Sequence, residues 1–183
     1  MLVEEREIYR GRVVRLSVDT VDLPNGHRVE LEIVHHPGGA AIVALDAGNR
    51  VCLLRQFRHA AKGWIWELPA GKLEPGEPPA ATASRELAEE VGVKGGNWTS
   101  LGAYLSSPGV FTEWLHLFLA RDLSPVRAGP EDNEVFEVHW LPFEEAFGQV
   151  LSGEIHDAKT CIGLMRARLL LAASAPVAAN AAP

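Results

Sequence analysis

Residues 80–91 read as a helix that must hold three carboxylates together, and no other feature constrains this chain as tightly. Glu86, Glu89 and Glu90 stand at i, i+3 and i+4, so their side chains crowd one side of the last two turns before Gly92 closes the helix. Like charges at that spacing repel, and carboxylates near a helix C-terminus oppose its dipole, at about 0.3–1 kcal/mol each. Two readings account for the pattern: a solvated acidic face, or a site for a hard cation. Clustered carboxylate oxygens suit Mg2+, which keeps several waters free for a substrate phosphate. Arg85, inside the cluster, would orient the carboxylates or neutralise part of their charge. The preceding stretch from Glu67 to Glu77 brings further carboxylates together with Gly71 and Gly76, and glycine lets backbone approach a ligand closely.

A chain of 183 residues predicts one domain, large enough to bury its core without disulfides. The net charge of −7, with no Lys/Arg run, argues against duplex nucleic acid or an anionic membrane as partner. Cys52 and Cys161 form no C-x-x-C and read as ordinary thiols in a reducing compartment. The N-terminus carries acid where a signal peptide would be basic, and Arg166 and Arg168 interrupt the most apolar C-terminal stretch. A soluble, cytoplasmic protein is expected.

Alternating polarity over residues 3–23 and 28–34, with a turn at 22–26, predicts an antiparallel meander. Residues 40–45 and 50–57 read as a second pair of strands joined at 46–49, and 64–68 as another strand. A Gly/Pro-rich loop at 71–79 leads into the carboxylate helix. Strands near 98–105, 115–120 and 135–141 and helices at 143–152 and 158–172 follow. Short strands mixed with a few helices imply a layered α/β domain.

The span from Gly71 to Val93 resembles the signature of the Nudix hydrolases: Gly, five residues, Glu, seven residues, then Arg-Glu-aliphatic-x-Glu-Glu-x-Gly-aliphatic. Gly71, Glu77, Arg85, Glu86, Leu87, Glu89, Glu90, Gly92 and Val93 fill every specified position. The flanks are similar to those of the ADP-ribose pyrophosphatase branch: Arg55-Gln56-Phe57-Arg58, Glu67-Leu68-Pro69-Ala70-Gly71, and Ser107-Pro108-Gly109 followed by Glu113. Related nucleotide-sugar pyrophosphatases share several of these. The resemblance covers residues 5–170 and implies an α/β/α sandwich with a mixed sheet, preceded by an N-terminal antiparallel β-meander. It divides the chain into a meander at 1–38 serving dimerisation and the substrate pocket, a hydrolase domain at 39–172 and a flexible Ala/Pro-rich tail at 173–183.

It also implies Mg2+-dependent hydrolysis of ADP-ribose to AMP and ribose 5-phosphate by a homodimer, with Mn2+ or Zn2+ as substitutes. Glu86 and Glu90 would be the principal metal ligands, joined by the backbone carbonyl of Ala70. Glu89 and Glu67 would be additional ligands or support them from behind. Glu134, before the strand at 135–141, is the candidate general base, with Asp132 and Glu131 behind it; the alternative is a solvated acidic turn. Arg58 would hold a phosphate as a planar fork, or else sit as a surface arginine at a strand edge. Arg28, Pro108 and Glu113 complete the candidate substrate contacts. The five tryptophans read as core or interface residues, and Tyr9 is the one aromatic of the N-terminal segment. His35-His36 reads as structural. A pyrophosphatase for another nucleoside diphosphate sugar, such as GDP-mannose, is the second reading. A non-catalytic ADP-ribose sensor is the third, and the intact carboxylate set argues against it.

Overall fold

The structure, a computed structural model, describes residues 1–129 and 134–174. Strands β1 (Leu2–Arg10), β2 (Arg15–Asp22) and β3 (Arg28–His35) form the expected antiparallel meander in the order β1-β2-β3. Next come β4 (Gly39–Ala44), β5 (Arg50–Arg58), β6 (Gly63–Glu67), β7 (Ala70–Lys72), α1 (Pro79–Glu86), β8 (Val93–Lys94) and β9 (Asn97–Leu105). The chain continues through β10 (Trp114–Arg121), β11 (Ser124–Pro125), β12 (Phe136–Pro142), α2 (Phe143–Ser152) and α3 (Ala158–Ser174).

β4 and β5 do not stay together as a pair. β4 joins a mixed sheet of order β7-β4-β10-β9, parallel to β10, whereas β5 joins the antiparallel sheet β12-β5-β6. A bridge between Leu45 and Val51 links the two where their shared turn begins and ends. Composition explains the split: every residue of β4 is buried, and a strand apolar on both faces needs cover on both. Its side chains supply that requirement alternately. Ala41 and Val43 pack into a cluster with Phe143, Ala146 and Val150 of α2 and Leu164 and Ala167 of α3. Ala40, Ile42 and Ala44 pack against Ala83 of α1 and the neighbouring Leu87. The α/β/α layering follows from one doubly buried strand.

Two short elements depart from the expected pattern. β7 falls in the segment read as loop from Gly71 onward, and the pair β8–β11 is two residues long, too short for alternation to register. Among the described residues no helix is long and apolar enough to cross a membrane.

Candidate active site

Pro79 opens α1 at a position where a missing N–H costs nothing. The helix does not run regularly to Gly92. From Leu87 to Val91 it widens into a π-helical turn, which Gly92 ends at φ 73° with its N–H on the carbonyl of Ala88. Such turns substitute i→i+5 bonding for i→i+4 and recur at functional sites. Here the three carboxylates separate: the Glu86 side chain is 13% exposed and Glu90 4%, but the Glu89 side chain is 41% exposed.

Each buried carboxylate is seated against β7. A Cβ placed on Gly71 would fall 1.8 Å from Oε1 of Glu86, so the carboxylate occupies the space that a side chain would take. The Ala70 N–H donates to Oε2 of Glu90 at 2.9 Å. Arg85 ties the outer side together, donating to Glu77 at 3.1 Å, Glu86 at 2.7 Å and Glu89 at 3.1 Å. Arg85, with the Thr82 hydroxyl, holds the Glu77 carboxyl down at about 2. These ion pairs serve both roles read for Arg85 from its position, orienting the carboxylates and neutralising part of their charge.

The inner cluster carries unbalanced negative charge. Burial, then the charges of Glu86 and Glu134, push the Glu90 carboxyl up to about 9. Burial raises Glu86 as well, against the pull of Arg85. Glu134, which lines the same cleft, adds its charge to both groups. Hard oxygen donors, a glycine cradle and a carboxylate too crowded to ionise alone fit a small divalent cation.

These residues line a cleft of about 520 Å3. Arg58, which also lines it, donates from Nε and Nη2 to the two oxygens of Glu67, at 2.7 and 3.0 Å. Glu67 is 1% exposed and also pairs with Lys159, which reaches Asp157 at 3.1 Å. Burial drives the Glu67 carboxyl upward, but the Arg58 bonds and the Lys159 charge outweigh it, and the group sits below the ordinary carboxylate range. A further stretch of wall carries Tyr104 and Glu113, the latter 3.1 Å from Nδ1 of His36.

The family model described as NUDIX domain matches residues 35–161. The chain belongs to the Nudix hydrolases. A methanol dehydrogenase activator of Bacillus methanolicus is 38% identical to it over 169 residues, 91% of each chain. An ADP-ribose pyrophosphatase of Bacillus subtilis is 39% identical, again over 91% of each chain. In fold it is similar to a solved ADP compounds hydrolase, with a TM-score of 0.84 at 20% identity over 97% of this chain and 96% of that one. It is therefore a hydrolase of a pyrophosphate bond.

This Nudix hydrolase brings Arg58, Ala70, Glu86, Glu89, Glu90, Glu113 and Glu134 to one cleft. Glu67 lies behind it, with its oxygens on Arg58 and Lys159, and the fork of Arg58 faces Glu67. Arg28 is on the meander, paired with Asp22 at 2.7 Å, and Pro108 is exposed in a turn; neither is among the cleft-lining residues. Glu131 and Asp132 lie outside the described residues. Lys159, Asp157 and Tyr104 line the cleft without having been singled out from the sequence. Asp157 had a readable signal, since it caps α3 by accepting the Thr160 N–H at 3.0 Å. Lys159 had none, because its partner Glu67 is 92 residues away. On the meander, Glu5, Asp19 and His35 also gather, but Arg15 neutralises Glu5 and the Ser17 hydroxyl bridges Asp19 and His35.

Proposed function

We propose that the enzyme hydrolyses ADP-ribose to AMP and ribose 5-phosphate, with Mg2+ as its ordinary ion and Mn2+ or Zn2+ as substitutes. The observation that carries this reading is the pair of buried carboxylates, Glu86 and Glu90, facing the same cleft as Glu134 and a wall of cations. The likeness to an ADP-ribose pyrophosphatase along nearly the whole chain supports the choice of substrate.

Glu86, Glu90 and the Ala70 carbonyl would hold the metal, with Glu89 at the exposed rim. When bound, divalent ions neutralise the diphosphate and lower the pKa of water. Glu134 accepts the proton of the attacking water as general base. The water oxygen bonds to one phosphorus, and the bridging oxygen leaves with the other phosphate. Arg58 has five N–H donors and spends two on Glu67, so the remaining donors of this half-exposed side chain can meet a phosphate oxygen. The buried Glu67 then serves to aim the guanidinium.

The chain acts as a homodimer in the cytoplasm in this reading. Support for the first part is β1, exposed along its whole length with Leu2, Val3, Ile8 and Tyr9 uncovered. Support for the second is that Cys52 and Cys161 are both free thiols. The test is hydrolysis of ADP-ribose, GDP-mannose, UDP-glucose, diadenosine polyphosphates, NADH and coenzyme A with Mg2+, with products resolved by chromatography. ADP-ribose cleaved fastest, to AMP and ribose 5-phosphate, is the expected result. A faster reaction with another member overturns the substrate assignment and retains the hydrolase chemistry.

A further inference from the structure

Among the described residues, the lysine and arginine side chains lining the active-site cleft are Arg58, Lys72 and Lys159. Two of them are already answered, because Arg58 and Lys159 both hold the buried Glu67. Lys72 is exposed, and its ammonium makes no hydrogen bond or ion pair with any described residue.

The register of the sheet decides where that side chain stands. β7 is the edge of the order β7-β4-β10-β9, and Lys72 lies opposite Gly39, Gly39 opposite Leu115, and Leu115 opposite Tyr104. Residues paired across strands share a face, so these form one row, and every member of it lines the cleft. The row is bare at Gly39, where a Cβ would fall 2.9 Å from the Gly71 carbonyl oxygen and 3.0 Å from Leu115. Lys72 therefore borders a trough in the cleft floor. Alternation turns it away from Glu86, toward which its neighbour Gly71 points. Arg85 answers Glu77, Glu86 and Glu89 itself, and it also donates to the Lys72 carbonyl at 3.3 Å, fastening the backbone there.

An ammonium offers three donors and no acceptor, so what it takes from a ligand is best an anionic oxygen. A diphosphate carries charge on each phosphate, and Arg58 can answer it only with the donors that Glu67 leaves over. Glu86 stands to one face of the edge strand and Lys72 to the other, so a diphosphate lying along that edge meets both. We propose that Lys72 is a substrate-binding residue, its ammonium donating to a non-bridging phosphate oxygen of the diphosphate. This contact rests on the pyrophosphate chemistry of the cleft and is indifferent to which terminal sugar the enzyme prefers.

Lys72→Met removes the charge and keeps most of the stem, whereas Lys72→Arg keeps the charge. The probe is α,β-methylene-ADP, in which carbon replaces the bridging oxygen so that it binds without being cleaved, titrated by calorimetry with Mg2+ present. Lys72→Met should weaken its binding about three- to tenfold, as loss of one charged hydrogen bond at an exposed site does, and Lys72→Arg should recover most of that. In about 1 M NaCl, where the screening length falls to about 3 Å, the difference between wild type and Lys72→Met should largely vanish. With ADP-ribose as substrate the same loss should appear in KM and not in kcat. Equal affinity of wild type and Lys72→Met for the probe overturns the contact. A loss that persists in high salt and that Lys72→Arg does not recover overturns it too, because packing and not charge would then be the cause. Should the wild type leave ADP-ribose intact, the substrate assignment falls, and the α,β-methylene-ADP titration still decides Lys72, since that probe carries no terminal sugar.

Discussion

A methyl group added at Gly71 would collide with the Glu86 carboxylate, the far end of a flexible side chain, so the chain can fold by swinging that carboxylate aside. Gly71→Ala should therefore melt within a few degrees of wild type yet lose about 100-fold in turnover, the order expected when a catalytic group is displaced by an ångström. Scanning calorimetry beside steady-state kinetics checks this, and full activity would show that Glu86 is not needed where it stands. Glu90 yields a pH prediction. Burial pushes its carboxyl from the ordinary glutamate value of 4.5 up to about 9 in the folded chain, so between those values the folded chain holds a proton that the unfolded chain has released. Stability of the metal-free protein should then fall as pH rises from about 5 to about 9. Glu90→Gln should flatten that slope while lowering turnover at saturating Mg2+ by about 100-fold or more, and saturating Mg2+ should flatten it in the wild type. An identical slope in wild type and Glu90→Gln, followed by thermal melts across pH, would remove Glu90 as its source.

Elements meet the site through their ends. The start of α3 is fastened to the turn between β6 and β7: the Leu68 N–H donates to Oγ1 of Thr160 at 2.8 Å, and that hydroxyl donates to Asp157 at 2.7 Å. Thr160 is fully buried, so Thr160→Val leaves the Leu68 N–H without an acceptor and should cost about 1–3 kcal/mol in urea unfolding. Thr160→Ser should restore most of that loss, and equal stability of the two variants would show that the hydroxyl is idle. The end of α1 has the opposite character. The i, i+3, i+4 carboxylates were readable as a helix with a chemical purpose. The π-helical turn at Leu87–Val91 was not, because the same spacing suits a regular α-helix. What distinguishes the two is contact with the β7 backbone, where Ala70 and Gly71 receive Glu90 and Glu86.

For the molecule as a whole, the meander is where a second chain is expected. An exposed edge strand presents unpaired backbone groups as a template for another chain, and β1, charged at its centre with Leu2, Val3, Ile8 and Tyr9 exposed toward its ends, is such an edge of the order β1-β2-β3. Sedimentation at micromolar concentration should give a dimer; a monomer would remove the proposed assembly and with it any role for Arg28 across an interface.

Sequence alone determined the features that depend on near neighbours. Helical periodicity places Glu86, Glu89 and Glu90 together whatever surrounds them, alternation marks the meander, and the doubly apolar run at residues 40–44 demands cover on two faces. Together with the signature residues these give the family and the carboxylates that come to the cleft. Tertiary structure decided what depends on burial and on charges brought from far along the chain. It parted β4 from β5, sank Glu90 and left Glu89 at the rim, and engaged the oxygens of Glu67 with Arg58 and Lys159. It also left the Tyr104 hydroxyl unpartnered among the described residues beside the cleft. Desolvation and Coulomb interaction act through space, and no spacing along the chain encodes the distance between residues 67 and 159 or the depth at which a side chain comes to rest.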